Sequence, residues 1–220
     1  MKRLEVLSPQ VHDLLQINRP SLSSGCATEP SWARRTLLGC PWVVVRRAQA
    51  ALGLIAVGVR GANRSERWAA FCEKSLVSKI VRPEELVFCN RTPKDVQRTP
   101  ALGALQEVRE RWVDLTLPWG PAGSVGFELA SGRKVTTEAS DLDLVIRARE
   151  RIAVEEARFL LDRTIGLEAK VDVRVETPAC GFSLEEYVLA SSAKILLRYP
   201  DGVRLGKDPW LTTNLCQEVA

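Results

Sequence analysis

A chain of 220 residues, 45% hydrophobic and 26% charged, is long enough to bury a sizeable core and has the composition of an ordinary globular protein. No apolar run reaches the length of a membrane helix, about 18 residues. A net charge of +4 excludes the strongly basic face of a bulk nucleic-acid binder, yet suits a polyanionic small molecule or an acidic partner protein. The segment Met1 to Pro9 has no apolar signal region, so a cytoplasmic address is expected, with neither membrane nor nucleic acid as partner. Six cysteines are scattered without a Cys-x-x-Cys pair, and His12 is the only histidine. That spacing does not make a structural zinc site, and the thiols read as reduced, several of them in the core.

In chain order, residues 19–35 are rich in Pro, Ser and Gly and read as a loop. The β-branched run Pro41 to Arg46 predicts a strand, and Leu54 to Arg60 a second. Ser65 to Lys79 carries Trp68, Phe71, Cys72 and Leu76 at helical spacing and predicts a helix. Three prolines between Val81 and Pro100 mark a boundary between a small N-terminal α/β domain over residues 1–90 and a second domain over 95–220. Pro100 to Trp112 is an amphipathic helix leading, through a short apolar segment, to the turn Gly120-Pro-Ala-Gly-Ser124, with a helix opening near Val125. Asp141 to Arg147 predicts a strand. Val154 to Ile165 predicts a helix with Ala157, Leu160, Leu161 and Ile165 on one face. Ala169 to Thr177 alternates strictly, as a half-buried strand does, and Ser183 with Glu186 forms a capping box for a last helix. The class expected is α+β, a mixed sheet backed by helices.

The chemistry gathers in the second half. Side chains at i and i+2 of a strand share a face, roughly 6.6 Å apart. Asp141 and Asp143 therefore point together while Leu142 and Leu144 point into a core. Carboxylates at that spacing can hold a pair of magnesium ions about 4 Å apart, as phosphoryl-transfer sites do. Asp172 stands mid-strand, where aspartate is disfavoured. If its strand lies beside that of Asp143, it supplies a third carboxylate, as a metal ligand or as acceptor of a hydroxyl proton. Gly120 and Gly123 let the backbone approach an anion, and Ser124 can hydrogen-bond a terminal phosphate. Arg60, Arg64 and Arg67, just after a strand, are candidates for phosphate contact, with a solvated loop as the equal alternative. His12, beside Asp13, reads as local structure.

This order of glycine-serine turn, Asp-x-Asp strand, helix and Asp-bearing strand resembles the nucleotidyltransferase superfamily, the one that includes DNA polymerase beta. The stretch Trp119 to Gly132, followed by Ala139-Ser-Asp-Leu-Asp-Leu-Val-Ile-Arg147, resembles the malonate decarboxylase holo-[acyl-carrier-protein] synthases more closely. Pro41 to Arg47, Val57 to Gly61 with Arg64 and Arg67, and Asp208-Pro-Trp210 fit the same family. The resemblance implies a polymerase-beta-like catalytic domain and a magnesium-dependent phosphoribosyl-dephospho-CoA transferase. Such an enzyme moves 2'-(5-triphosphoribosyl)-3'-dephospho-CoA onto a serine of the apo acyl carrier subunit of malonate decarboxylase and releases pyrophosphate. It also implies that Asp141 and Asp143 are catalytic, Asp172 following only from the wider superfamily. Three alternatives stay open: a nucleotidyltransferase that adenylylates a small molecule or protein, the citrate lyase counterpart, and a non-catalytic binding module of the same fold.

Overall fold

A computed structural model of the chain describes residues 8–18, 22–24, 28–63, 65–88, 98–190 and 193–211. The N-terminal sheet contains β1 (Leu14–Ile17), β2 (Trp42–Val45), β3 (Leu54–Arg60), β4 (Arg67–Glu73) and β5 (Val77–Val81). It is antiparallel throughout, in the order β4-β3-β2-β1-β5. Helix α1 (Ser31–Gly39) covers it, packing Ala33 and Leu37 against Leu15, Val43, Val57 and Trp68.

The second sheet contains β6 (Trp119–Pro121), β7 (Leu142–Arg147), β8 (Val171–Glu176), β9 (Gly181–Ser183), β10 (Ile195–Tyr199) and β11 (Gly202–Gly206). Its order is β11-β10-β9-β8-β7-β6, and only the β7–β8 pair is parallel. Parallel neighbours need a crossover; helix α5 (Val154–Asp162) supplies it. The other helices are α2 (Pro83–Leu86), α3 (Pro100–Arg111), α4 (Gly123–Ser131) and α6 (Leu184–Leu189). With two sheets and helices outside them, the chain is an α+β protein. Ser183 caps α6 as its sequence implies, accepting from the Glu186 N–H. Among the described residues, no helix is long and apolar enough to cross a membrane.

Three expectations are corrected. Ser65 to Lys79 is not a helix: it forms β4, a short 3₁₀ turn at Lys74–Leu76 and the start of β5. Trp68, Ala70 and Cys72 are the buried positions of β4, which is strand period, and β4 pairs with β3 along its whole length. Trp68, Phe71 and Cys72 only happen to fall at helical spacing; pairing with β3 overrides it. Residues 31–35, expected in a loop, form the first half of α1, entered from an extended Pro30. Helix α5 stops at Asp162, so Ile165 lies beyond it and is 70% exposed instead of completing an apolar face.

The two sheets meet at a shared junction. Leu14, Trp42 and Val81 from the first form one core with Leu86 and Phe127. Gly120 in β6 sits so close to α2 that a Cβ there would collide with the Pro83 carbonyl. Arg147, at the end of β7, donates to Asp13 (2.7 Å) and Glu84 (2.5 Å), and Arg47 pairs with Glu176 of β8. Asp13 is fully buried, so its carboxylate needs the Arg147 partner; burial pushes its pKa up, and Arg147 with the Gln10 N–H pulls it back.

Candidate active site

Strands β7 and β8 run in parallel with Asp143 opposite Asp172. Leu142 and Leu144 are fully buried, so alternation turns Asp143 to the opposite face of the sheet. Asp141 lies one residue before β7 and acts on the same point. The Asp143 carboxyl is held above its ordinary pKa, first by burial, then by the charges of Asp172 and Asp141. Arg174 and His12 partly oppose the shift. Arg174, two residues along β8, donates to Asp172 Oδ2 at 2.7 Å.

Helix α4 begins against this cluster. The Ala122 N–H donates to the Asp143 carbonyl (2.8 Å), and Gly123 follows with φ +53°. A Cβ on Gly123 would overlap Asp143 Oδ2, so only glycine lets the helix start beside the carboxylate. Ser124 is buried in the first turn. At the other end of α4, Glu128 is fully buried and gathers the loop that leads to Asp141. It accepts from the Val135 and Thr136 N–H groups, both at 2.9 Å, from the Thr136 hydroxyl and from Arg98. Burial alone would raise its pKa; these donors outweigh it and hold Glu128 at about 2.

The predicted residues therefore separate. Asp141, Asp143 and Asp172 come together, with Gly123 and Ser124 beside them. Arg60 lies elsewhere, at the end of β3, lining a cavity of about 280 Å³ with Gly61, Arg133 and Lys134, in which none of the three aspartates takes part. Arg64 lies outside the described residues. Asp208-Pro-Trp210 is an anchor: Trp210 donates to the Ala148 carbonyl (3.1 Å), the Pro209 carbonyl accepts from Thr177 (3.1 Å), and Asp208 pairs with Arg151.

His12 is not a local structural residue. Held at φ 74°, it reaches Glu176 Oε1 at 2.9 Å, 164 positions away. A carboxylate can only accept, so His12 Nε2 carries the hydrogen. Burial, with the charges of Arg147 and Arg47, lowers its pKa to about 4, so the ring is neutral at pH 7. The strict alternation of residues 169–177 already puts Arg174 and Glu176 on the face of Asp172, but no sequence signal joins His12 to them.

Three mutually repelling carboxylates around an uncluttered glycine turn are the hard-oxygen donor set that magnesium favours. The residues fit such a cation as chemistry. Among the described residues, however, no three acidic, cysteine or histidine side chains are drawn into a ready ligand shell, and Asp172 is turned towards Arg174.

Comparison with known proteins defines the class first: both halves of the chain match models of transferase domains. Residues 10–83 match the model described as phosphoribosyl-dephospho-CoA transferase MdcG N-terminal domain, and residues 90–209 match its C-terminal domain. The chain belongs to the phosphoribosyl-dephospho-CoA transferase family. It is 40% identical over 199 residues to the Pseudomonas fluorescens protein of that name, covering 90% of this chain and 92% of the relative. The Pseudomonas putida protein is 38% identical over 204 residues (92% and 96%), and that of Azotobacter vinelandii 38% over 209 residues (93% and 95%). No solved structure matches the chain.

Proposed function

We propose that this protein transfers the phosphoribosyl-dephospho-CoA group of 2'-(5-triphosphoribosyl)-3'-dephospho-CoA to a serine of the apo acyl carrier subunit of malonate decarboxylase, releasing pyrophosphate in the cytoplasm. The observation that carries it is Asp143 facing Asp172 beside a helix that opens on Gly123, within a chain of this family. The reading makes the second sheet a nucleotidyltransferase fold, with a catalytic unit over residues 95–220 and an N-terminal unit over 1–90; the separate matches at 90–209 and 10–83 support that division.

The serine oxygen attacks the α-phosphorus in line. A new P–O bond forms to the carrier, the bond to the β-phosphate oxygen breaks, and pyrophosphate leaves with that electron pair. Asp172, steadied by Arg174, takes the hydroxyl proton. Asp141 and Asp143 would hold magnesium, with Asp172 as the third carboxylate beside them. When bound, the cation neutralises charge on the phosphate oxygens. Gly123 and Ser124 leave space and donors for a terminal phosphate at the start of α4.

Mass spectrometry of the apo carrier, incubated with this protein, magnesium and donor, tests the reading. A mass increase equal to the phosphoribosyl-dephospho-CoA group supports it. Modification only with ATP as donor would point to adenylylation instead, and preference for a citrate lyase carrier would change the partner.

A further inference from the structure

The face of β7 and β8 that bears Asp143 and Asp172 also bears Arg147 and Glu176, four residues further along each strand. Four residues of extended chain span about 13 Å. There the two sheets enclose a cleft of about 990 Å³, far larger than the cavity beside Arg60. Its walls come from both halves of the chain, including Arg46 just after β2, Lys74 in the turn between β4 and β5, and Arg149 two residues beyond β7. Arg147 is balanced by Asp13 and Glu84, and Arg47 by Glu176. Lys74, Arg82 and Arg149, which also line the cleft, form no ion pair among the described residues. The same cleft is also lined by apolar residues, among them Val45, Ile55, Pro118 and Pro178.

We infer that this cleft holds the dephospho-CoA portion of the donor, with its diphosphate against Lys74, Arg82 and Arg149 and its pantetheine arm along the apolar wall. The inference rests on the donor assignment above. If the reacting triphosphate lies at Asp143 and Asp172, the remainder of the donor must leave that point in one direction. It carries two negative charges and then a long, weakly polar arm. The cleft matches it in kind: it starts on the same sheet face about 13 Å along the strands, and it offers both cations without an ion pair among the described residues and apolar surface. A neutral or short nucleotide would leave those cations unmatched. The N-terminal sheet thereby becomes half of the donor site, which gives the ion pairs buried at the junction a role.

The probe is dephospho-CoA itself, which lacks the triphosphoribosyl group, titrated calorimetrically into the full chain. Lys74 and Arg149 are exposed, so reversing their charge leaves the fold intact, which melting curves verify. Lys74→Glu and Arg149→Glu are each expected to weaken dephospho-CoA binding about tenfold or more, one charge-assisted contact being of that order. ADP, lacking the arm, is expected to bind more weakly than dephospho-CoA, and Asp143→Asn to bind it as tightly as the unaltered protein. Absence of dephospho-CoA binding, or binding indifferent to both reversals, overturns the cleft assignment. The donor reading fails separately: dephospho-CoA binding that depends on Lys74 and Arg149, without transfer to any carrier, keeps the cleft and removes the reaction. If both variants transfer with an unchanged donor KM, the cleft is the part that is wrong.

Discussion

Gly123 and Asp143 share one volume: the carboxylate oxygen Oδ2 occupies the space that any side chain at residue 123 would need. The positive φ of Gly123 adds a second reason for glycine, since a Cβ is strained in that conformation. Gly123→Ala is therefore expected to displace Asp143 or the first turn of α4 and to lose on the order of 1–3 kcal/mol of stability. Denaturant unfolding and the carrier-modification assay check it together; an alanine variant with unchanged stability and activity would contradict the geometry.

The Asp143 carboxylate is kept at a cost to folding. Its pKa is raised by burial and by Asp172 and Asp141, so ionising it costs stability as pH rises through the folded value. Asp143→Asn is expected to melt higher than the unaltered protein at pH 7 while losing carrier modification. Magnesium should raise the melting temperature of the unaltered protein and leave that of Asp143→Asn unmoved. A variant that melts lower, or that still responds to magnesium, counts against the cluster as a cation site.

Glu128 has the opposite sign. Its folded pKa of about 2 lies below the ordinary 4.5, so its contribution is complete above about pH 4.5 and is lost as pH falls towards 2. The amount is on the order of 3 kcal/mol. Unfolding free energies measured across that window should fall for the unaltered protein and lie flatter for Glu128→Gln, which starts less stable because Arg98 is left without a charge partner.

His12 acts at higher pH. The neutral form is favoured in the folded state, whose pKa of about 4 lies below the ordinary 6.5. The unfolded chain thus binds the extra proton between those values, and stability declines as pH drops from about 6.5 to 4. His12→Gln keeps a donor for Glu176 but does not titrate. Its unfolding free energy should be nearly level over that interval; a slope equal to that of the unaltered protein would show that His12 is not the group responsible.

Arg147 ties the halves together. Arg147→Met is expected to cost about 3–5 kcal/mol, because it leaves the buried Asp13 carboxylate without its partner. The double variant Arg147→Met, Asp13→Asn should recover much of the loss, a coupling that thermal melts of the four proteins read directly.

Much of the second half was legible because its signals are local. Leu142, Leu144, Val173 and Val175 are buried as alternation demands, and Gly123 stands at a turn only glycine serves. The N-terminal half was less so. Trp68 and Cys72, four residues apart, satisfy both helical and strand spacing, and the decision falls to pairing with β3. Arg60 follows its strand as the pattern suggests, yet the fold gives it a cavity apart from the aspartates.

By itself, the amino-acid order determined which side chains share a strand face: Asp143 away from Leu142 and Leu144, Asp172 away from Val173 and Val175. It also determined the family, since runs such as Trp119 to Arg147 are specific without any coordinates. Tertiary structure alone decided that Asp143 meets Asp172, that His12 crosses to Glu176, and that a cationic cleft opens between two sheets. The reason is range. Alternation and backbone conformation act over a few residues, whereas register, burial of charge and the walls of a cleft depend on segments that only packing brings together.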